Sequence, residues 1–192
     1  MIVHLIRHGD KAAGSGDLGL SQLGAEQADR TGRALAGLPI HTLYASPLKR
    51  TVETATFIGR HLGLEPVIDA AVRERLIYGD RPGETPEEYV VLFERTSRDR
   101  DFVPPNGDSS RMAGERLERF VRGLYAANPA AEFAVATHGG IIIDMLANHY
   151  STEQLEALAP GRLHYPNCAI TTIECHGQEL RIVRLADVSH LE

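Results

Sequence analysis

An α/β three-layer sandwich, with a mostly parallel central sheet and helices on both faces, is the fold class this sequence predicts. Two observations predict it. Short apolar runs alternate with helical stretches in a β-α-β order, which implies parallel strands joined by crossover helices. Several of those strands stop at turns bearing histidine or arginine, the edge where open α/β sheets hold ligands. The length agrees, since 192 residues fill one domain, 1–192, with a single core.

In chain order, residues 2–6 read as a buried strand, and 10–17 as a polar, glycine-bearing loop expected to be mobile. Residues 20–38 read as a helix with Ser21 as cap or first-turn residue and Gly37 near its end. Residues 42–45 form a short strand, Pro47 stands where a helix can begin without its missing donor, 48–62 continue as that helix, and 67–68 add a short strand. From 72 to 105 the periodicity is broken by Gly79, Pro82, Gly83, Pro86, Pro104 and Pro105, with one helix at 87–96. Such an insertion, around 75–108, is expected to be a lid or specificity region. Residues 109–127 read as a helix, 133–137 as a buried strand, 141–149 and 152–158 as helices. Residues 169–174 and 180–185 form a hairpin turning at His176-Gly177-Gln178.

The composition, 43% hydrophobic and 24% charged, is that of an ordinary globular protein. A net charge of −6 argues against a broadly basic surface for nucleic acid but leaves room for an anionic small molecule in a locally cationic cleft. Cys168 and Cys175, seven apart and read as one strand, fall on opposite faces, so free thiols suited to a reducing cytoplasm are expected. No Cys-x-x-Cys, His-Glu-x-x-His or His-x-His spacing occurs, and neither a metal nor a cofactor is expected. No charged leader precedes the first strand and no apolar run approaches the ~20 residues of a membrane span. A soluble, cytoplasmic protein with no nucleic-acid or membrane partner is the expectation, with a homodimer left open.

Three segments carry chemistry. Arg7-His8-Gly9 follows the first strand, Ser46-Pro47-Leu48-Lys49-Arg50-Thr51-Val52-Glu53-Thr54-Ala55 places a second arginine at a strand-to-helix boundary, and Ala136-Thr137-His138-Gly139-Gly140 repeats the strand-then-His-Gly design. Singly, each has a bland reading: a backbone-satisfied histidine, a surface arginine, a turn glycine. Together, two histidines and two arginines at such junctions make a phosphate pocket. A planar guanidinium donates two parallel bonds to phosphate oxygens, and a neutral imidazole with one ring nitrogen free is a competent nucleophile.

With these segments the chain resembles the histidine phosphatase superfamily, the fold of cofactor-dependent phosphoglycerate mutases and many phosphatases, over nearly its whole length. Leu20-Ser21-Gln22-Leu23-Gly24-Ala25-Glu26-Gln27-Ala28 resembles the family's first-helix entry, Pro105-Asn106-Gly107-Asp108-Ser109 its Pro-Gly-Gly-Glu-Ser turn, and Asn167-Cys168-Ala169-Ile170-Thr171 the start of its closing strands. The resemblance implies His8 as a nucleophile that carries a phosphohistidine, Arg7, Arg50 and His138 as phosphate contacts, and Gly9 as the small residue that lets backbone approach the phosphate. It points to Glu74 as the acid, although four residues separate Glu74 from Gly79, one more than the family pattern; Glu84 is the substitute and Asp10 the next candidate. Two departures stand out. Asp10-Lys11 replaces the usual Glu followed by Ser or Thr, so Lys11 either brings a further cation to the pocket mouth or lies in solvent. Asp108 replaces a glutamate and is shorter by one methylene, and Ser109 is a candidate cap for the next helix instead. The implied function is a metal-independent phosphomonoesterase acting on small phosphorylated metabolites. A cofactor-dependent phosphoglycerate mutase and a noncatalytic phospho-ligand binder are the alternatives.

Overall fold

In the computed structural model, which describes residues 1–177 and 179–192, the chain runs β1 (Ile2–Arg7), α1 (Gln22–Leu35), β2 (Ile40–Ala45), α2 (Lys49–Leu62), β3 (Val67–Ile68), α3 (Pro86–Arg98), α4 (Ser110–Ala127), β4 (Glu132–Thr137), α5 (Gly139–Leu146), α6 (Thr152–Leu158), β5 (Ile170–His176) and β6 (Glu179–Asp187). The strands form one sheet of order β3-β2-β4-β1-β5-β6. Its β3, β2, β4 and β1 are parallel, and β5 and β6 add antiparallel to β1. The expected α/β sandwich is therefore present, with the hairpin supplying the antiparallel edge.

Alternation along the central strands divides the core in two. Val3 and Leu5 of β1 and Phe133 and Val135 of β4 join Leu117, Val121, Ile141, Ile142 and Met145, which places α4 and α5 on one face. Ile6, Ala134 and Ala136 join Leu43, Leu35, Ala55 and Ile58, which places α1 and α2 on the other. No helix is long and apolar enough to cross a membrane among the described residues.

Several boundaries differ from the sequence reading. Ser21 is the N-cap of α1, accepting from the Gly24 N–H, and Ser109 is the N-cap of α4, accepting from the Met112 N–H. Asp17 reaches from the preceding loop to accept from the Lys49 N–H, supplying the cap that Leu48 lacks at the start of α2. The helix expected at 141–149 begins at Gly139 and ends at Leu146, because His138 already has extended backbone and serves as its cap. The helix expected at 87–96 is extended at both ends, since Thr85 and Glu88 form a capping box with Pro86 in the first turn. Only Cys175 lies in β5; Cys168 precedes it with φ 55°, so the two cysteines do not share a strand, and both are buried free thiols. β5 runs through His176 and β6 begins at Glu179, while Gln178 of the expected turn lies outside the described residues.

The loop at 10–17 is pinned at its base, where Lys11 bridges to Leu20 and the Ala12 N–H donates to the Gly19 carbonyl at 3.0 Å. Below it, backbone packs on backbone. A Cβ at Gly24 would lie 2.1 Å from the Asp10 carbonyl oxygen, and one at Gly9 2.5 Å from the Gly24 oxygen. Gly24 thus allows α1 to rest on the turn that follows β1. This contact makes a prediction that opposes helix propensity. Gly24→Ala, in the first turn of α1, is expected to destabilise the fold by about 1–3 kcal/mol through overpacking. Gly123→Ala, at an exposed α4 position with nothing within 4 Å, is expected to stabilise it by about 0.5–1 kcal/mol. Chemical denaturation of the two variants checks the signs; a stabilising Gly24→Ala would contradict the close approach.

Candidate active site

Parallel pairing brings the carboxyl ends of β2, β4 and β1 to one edge. Arg7 is in register with Thr137, and the His8 N–H donates to the Thr137 carbonyl at 3.0 Å, so the residues that follow, His8 and His138, emerge side by side. Their rings meet edge to face with centroids 5.3 Å apart. Arg50, in the first turn of α2 and only 9% exposed, arrives from the end of β2.

His8 is 8% exposed. Its Nδ1 lies 2.7 Å from the Gly9 carbonyl. A carbonyl only accepts, so Nδ1 carries the hydrogen and Nε2 of the neutral ring is left with its lone pair. Burial, followed by the positive charge of Arg50, lowers the His8 pKa to about 3. The imidazole therefore stays neutral at physiological pH, the state a nucleophile requires.

Arg7 donates to the Tyr165 carbonyl, and Arg50 donates from Nη2 to Nδ1 of His138 at 3.2 Å. Among the described residues neither guanidinium has a carboxylate within 4.0 Å. Two unpaired, largely buried guanidiniums beside a neutral imidazole form an anion site, because a buried cation is costly until an anion compensates it. His138 takes a different position from the expected direct phosphate donor. Its ring is 1% exposed and both nitrogens are occupied, Nδ1 accepting from Arg50 and Nε2 donating to Ser46 Oγ at 2.9 Å. In this arrangement it braces Arg50 and His8 from behind the cleft wall. Gly9 likewise turns inward, its N–H donating to Thr54 Oγ1 at 3.0 Å, and its lack of a side chain serves the contact with α1.

Glu74 lies on the cleft wall with Arg7, His8 and Arg50. It is held by two backbone donors, the Arg75 N–H at 2.8 Å and the Gly140 N–H at 3.2 Å, one to each carboxylate oxygen. A Cβ at Gly140 would fall 2.7 Å from that carboxylate, which explains the second glycine of the His-Gly-Gly motif. Glu84 is committed elsewhere, accepting from the Gly79 N–H and from Arg81 within its own loop. Asp10 accepts from the Ser21 hydroxyl at 2.6 Å. Asp108 pairs with Arg73 and Arg116 rather than with Arg7 or Arg50.

The cleft has two lobes that share Arg7, His8, Arg50 and Tyr89, with volumes of about 540 and 360 Å³. Glu74 lines the larger and Lys11 the smaller. Tyr89, on α3, is a site residue the sequence reading did not single out; its ring packs against Tyr78 and Phe93 at 5.4 and 5.9 Å, and burial with the charge of Glu74 raises its pKa to about 12. Arg75 and Asp144 were also missed. They form a buried pair, Nη1 donating to Oδ1 at 2.6 Å and to Oδ2 at 2.7 Å, and burial raises the Asp144 pKa to about 6 against the opposing pull of Arg75. Among the described residues no group of three or more His, Cys, Asp or Glu side chains is placed to hold a metal ion.

Neutral His8 leaves a mark on stability. Between pH 6.5, where an unfolded histidine protonates, and about 3, where folded His8 does, the unfolded chain holds the extra proton and stability falls as pH falls. Asp144, with its pKa raised to about 6, acts in the opposite direction over its own range. The stability lost between about pH 7.5 and about pH 5.5 is therefore expected to be about 1.4 kcal/mol smaller in His8→Asn than in the wild type. Equal losses in denaturant titrations would show that folded His8 takes up its proton over the same pH range as the unfolded chain.

Comparison with known proteins agrees with this geometry. The model of the histidine phosphatase superfamily (branch 1) matches residues 3–188. The uncharacterized phosphatase PhoE of Bacillus subtilis is 30% identical over 151 residues, 75% of each chain, and phosphoglycerate mutase-like protein 4 of Arabidopsis thaliana is 28% identical over 206 aligned residues, 98% of this chain and 86% of that one. In fold, a mycobacterial glucosyl-3-phosphoglycerate phosphatase is similar with a TM-score of 0.77 at 22% identity, covering 97% of this chain and 99% of that one. A mutant of the Entamoeba histolytica phosphoserine phosphatase, with a TM-score of 0.75 at 22% identity, covers 100% and 99%. On the family match and the Bacillus relative, this chain belongs to the histidine phosphatase superfamily.

Proposed function

We propose that the protein hydrolyses phosphomonoesters of small metabolites through a phosphohistidine on His8, without a metal ion. The observation that carries the reading is the pair of guanidiniums, Arg7 and Arg50, held, among the described residues, without carboxylate partners around an imidazole whose Nε2 keeps its lone pair. The phosphoryl group occupies the space between them. His8 Nε2 attacks phosphorus, the bond to the alcohol oxygen breaks, and Glu74 gives that oxygen a proton. Water then attacks the phosphohistidine, Glu74 takes its proton, and phosphate leaves. The charge that builds on the phosphoryl oxygens is met by Arg7 and Arg50 in a site with little solvent, where fixed donors act most strongly. His138, held between Ser46 and Arg50, keeps the second guanidinium in place.

The segment at 75–108 is proposed as the specificity region, since Tyr89, Phe93 and Ser97 of α3 line the larger lobe. The names of the relatives support phosphate-ester chemistry, as those proteins include phosphatases and phosphoglycerate mutase-like proteins. Two buried thiols that are not oxidised to one another accord with a cytoplasmic setting.

The reading is tested by phosphate release from p-nitrophenyl phosphate and from an alkyl phosphate such as glycerol 3-phosphate, after prolonged EDTA treatment and with no bisphosphoglycerate primer. Turnover of both is expected to persist. Loss restored by added metal would overturn the metal-free mechanism, and phosphoglycerate interconversion with little free phosphate would make the protein a mutase. Glu74→Gln is expected to slow the alkyl phosphate by about 10²–10⁴-fold and the nitrophenyl ester much less, because nitrophenolate leaves without a proton. Equal losses on both would remove Glu74 from the proton path.

A further inference from the structure

Five permanently cationic or amine side chains line the two lobes: Arg7, Arg50, Arg75, Arg100 and Lys11. Two of them are spent inside the protein. Arg75 is tied to both oxygens of Asp144 and to Ser97 Oγ at 2.6 Å, with the Phe93 ring centred 3.9 Å from its guanidinium carbon. Arg100 closes the carboxyl end of α5, donating to the Asp144 and Ala147 carbonyls and to Asn148 Oδ1. Arg7 and Arg50 hold the transferring phosphoryl group.

Lys11 is left over. Among the described residues its Nζ has no carboxylate within 4.0 Å; it makes one long contact, 3.4 Å to the Gly14 carbonyl, and stands 5.9 Å from the centre of the Tyr78 ring. An ammonium has three donors, so donor capacity remains. The Lys11 lobe opens directly onto Arg7, His8 and Arg50, and Tyr78, Tyr89 and Asn167 complete its polar lining. Its one carboxylate, Asp10, already accepts from the Ser21 hydroxyl. A phosphomonoester dianion offsets the two arginines and leaves the lobe with the Lys11 charge facing a partly enclosed space, where field lines concentrate. Partial burial and repulsion from Arg50 lower the Lys11 pKa, and the charge of an anion beside the ammonium opposes that shift.

We propose that the site selects phosphomonoesters whose alcohol portion carries a second anionic group, a carboxylate or a second phosphate, and that this group enters the Lys11 lobe with Lys11 as its ligand. The inference rests on the phosphatase reading of the cleft and goes beyond it in naming the substrate class.

The test uses matched pairs that differ only in the second group. In one arm, 3-phosphoglycerate is compared with glycerol 3-phosphate; in the other, fructose 1,6-bisphosphate is compared with fructose 6-phosphate. The readout is the ratio of kcat/KM within each pair, from which any general loss of activity cancels. Wild-type protein is expected to favour the second anion by about tenfold in at least one arm, the effect of one hydrogen bond between charged groups, and the favoured arm tells carboxylate from phosphate. Lys11→Met is expected to bring that ratio close to one, and Lys11→Arg to keep most of it. A wild-type ratio near one in both arms overturns the proposal, as does a ratio that survives in Lys11→Met, which would put the second anion elsewhere in the cleft. Absence of turnover on all four substrates and on p-nitrophenyl phosphate overturns the phosphatase reading itself, so the two failures are distinguishable.

Discussion

Positive charge held, among the described residues, without a carboxylate in ion-pairing distance is the constraint around which the cleft is built. Arg7 and Arg50 enter a largely buried space, and the protein gives them a carbonyl and an imidazole nitrogen instead of a carboxylate. The same charge has two effects. It favours an anion in the cleft, and with burial it keeps the His8 ring unprotonated, the state the proposed nucleophile requires. A carboxylate close enough to pair with either arginine would weaken both effects at once. Glu74 is near enough to act on both arginines electrostatically, yet its oxygens are held by backbone N–H groups.

Holding such a site open requires rigid surroundings, and these come from a polar network on the larger lobe. Asp144 Oδ1 accepts from Arg75 and from the Ser110 hydroxyl at 2.7 Å, Arg75 reaches α3 through Ser97, and Arg100 joins Ser110 to the end of α5. Helices α3, α4 and α5 are thereby tied to the residue next to Glu74. Removing one partner of a buried ion pair leaves the other charge unpaired, which typically costs 3–5 kcal/mol, so Arg75 and Asp144 bind the placement of Glu74 to the placement of α3. One donor of this network, Nε of Arg75, is a buried atom without a partner among the described residues.

The strand ends were legible in the sequence because each motif follows directly on an apolar run: Arg7 and His8 on β1, Thr137 and His138 on β4, and Ser46 to Arg50 on β2. Parallel order then brings those ends to one edge. Local sequence could not reveal how the side chains divide the work there. His138 was expected to face phosphate, and its burial behind Arg50 depends on Ser46, 92 positions away. Gly9 was expected to face the ligand, while the contact that requires it lies on α1. Asp144 resembles any polar residue in an apolar helix until α4 and α5 pack together, and Arg75 resembles one charge in a basic-acidic run until it meets that carboxylate. Tyr89 sits in the insertion where periodicity is weakest, and only the packing of α3 places it between the two lobes.

The most direct measurement is to capture phosphate on the protein. Because Nδ1 of His8 donates to the Gly9 carbonyl, the account predicts that a reaction quenched in base yields phosphohistidine on Nε2 of residue 8, stable in base and labile in acid. Peptide mapping should place it there, and His8→Ala should carry none. No phosphohistidine in the wild type under rapid quench, or label that persists in His8→Ala, would contradict the account.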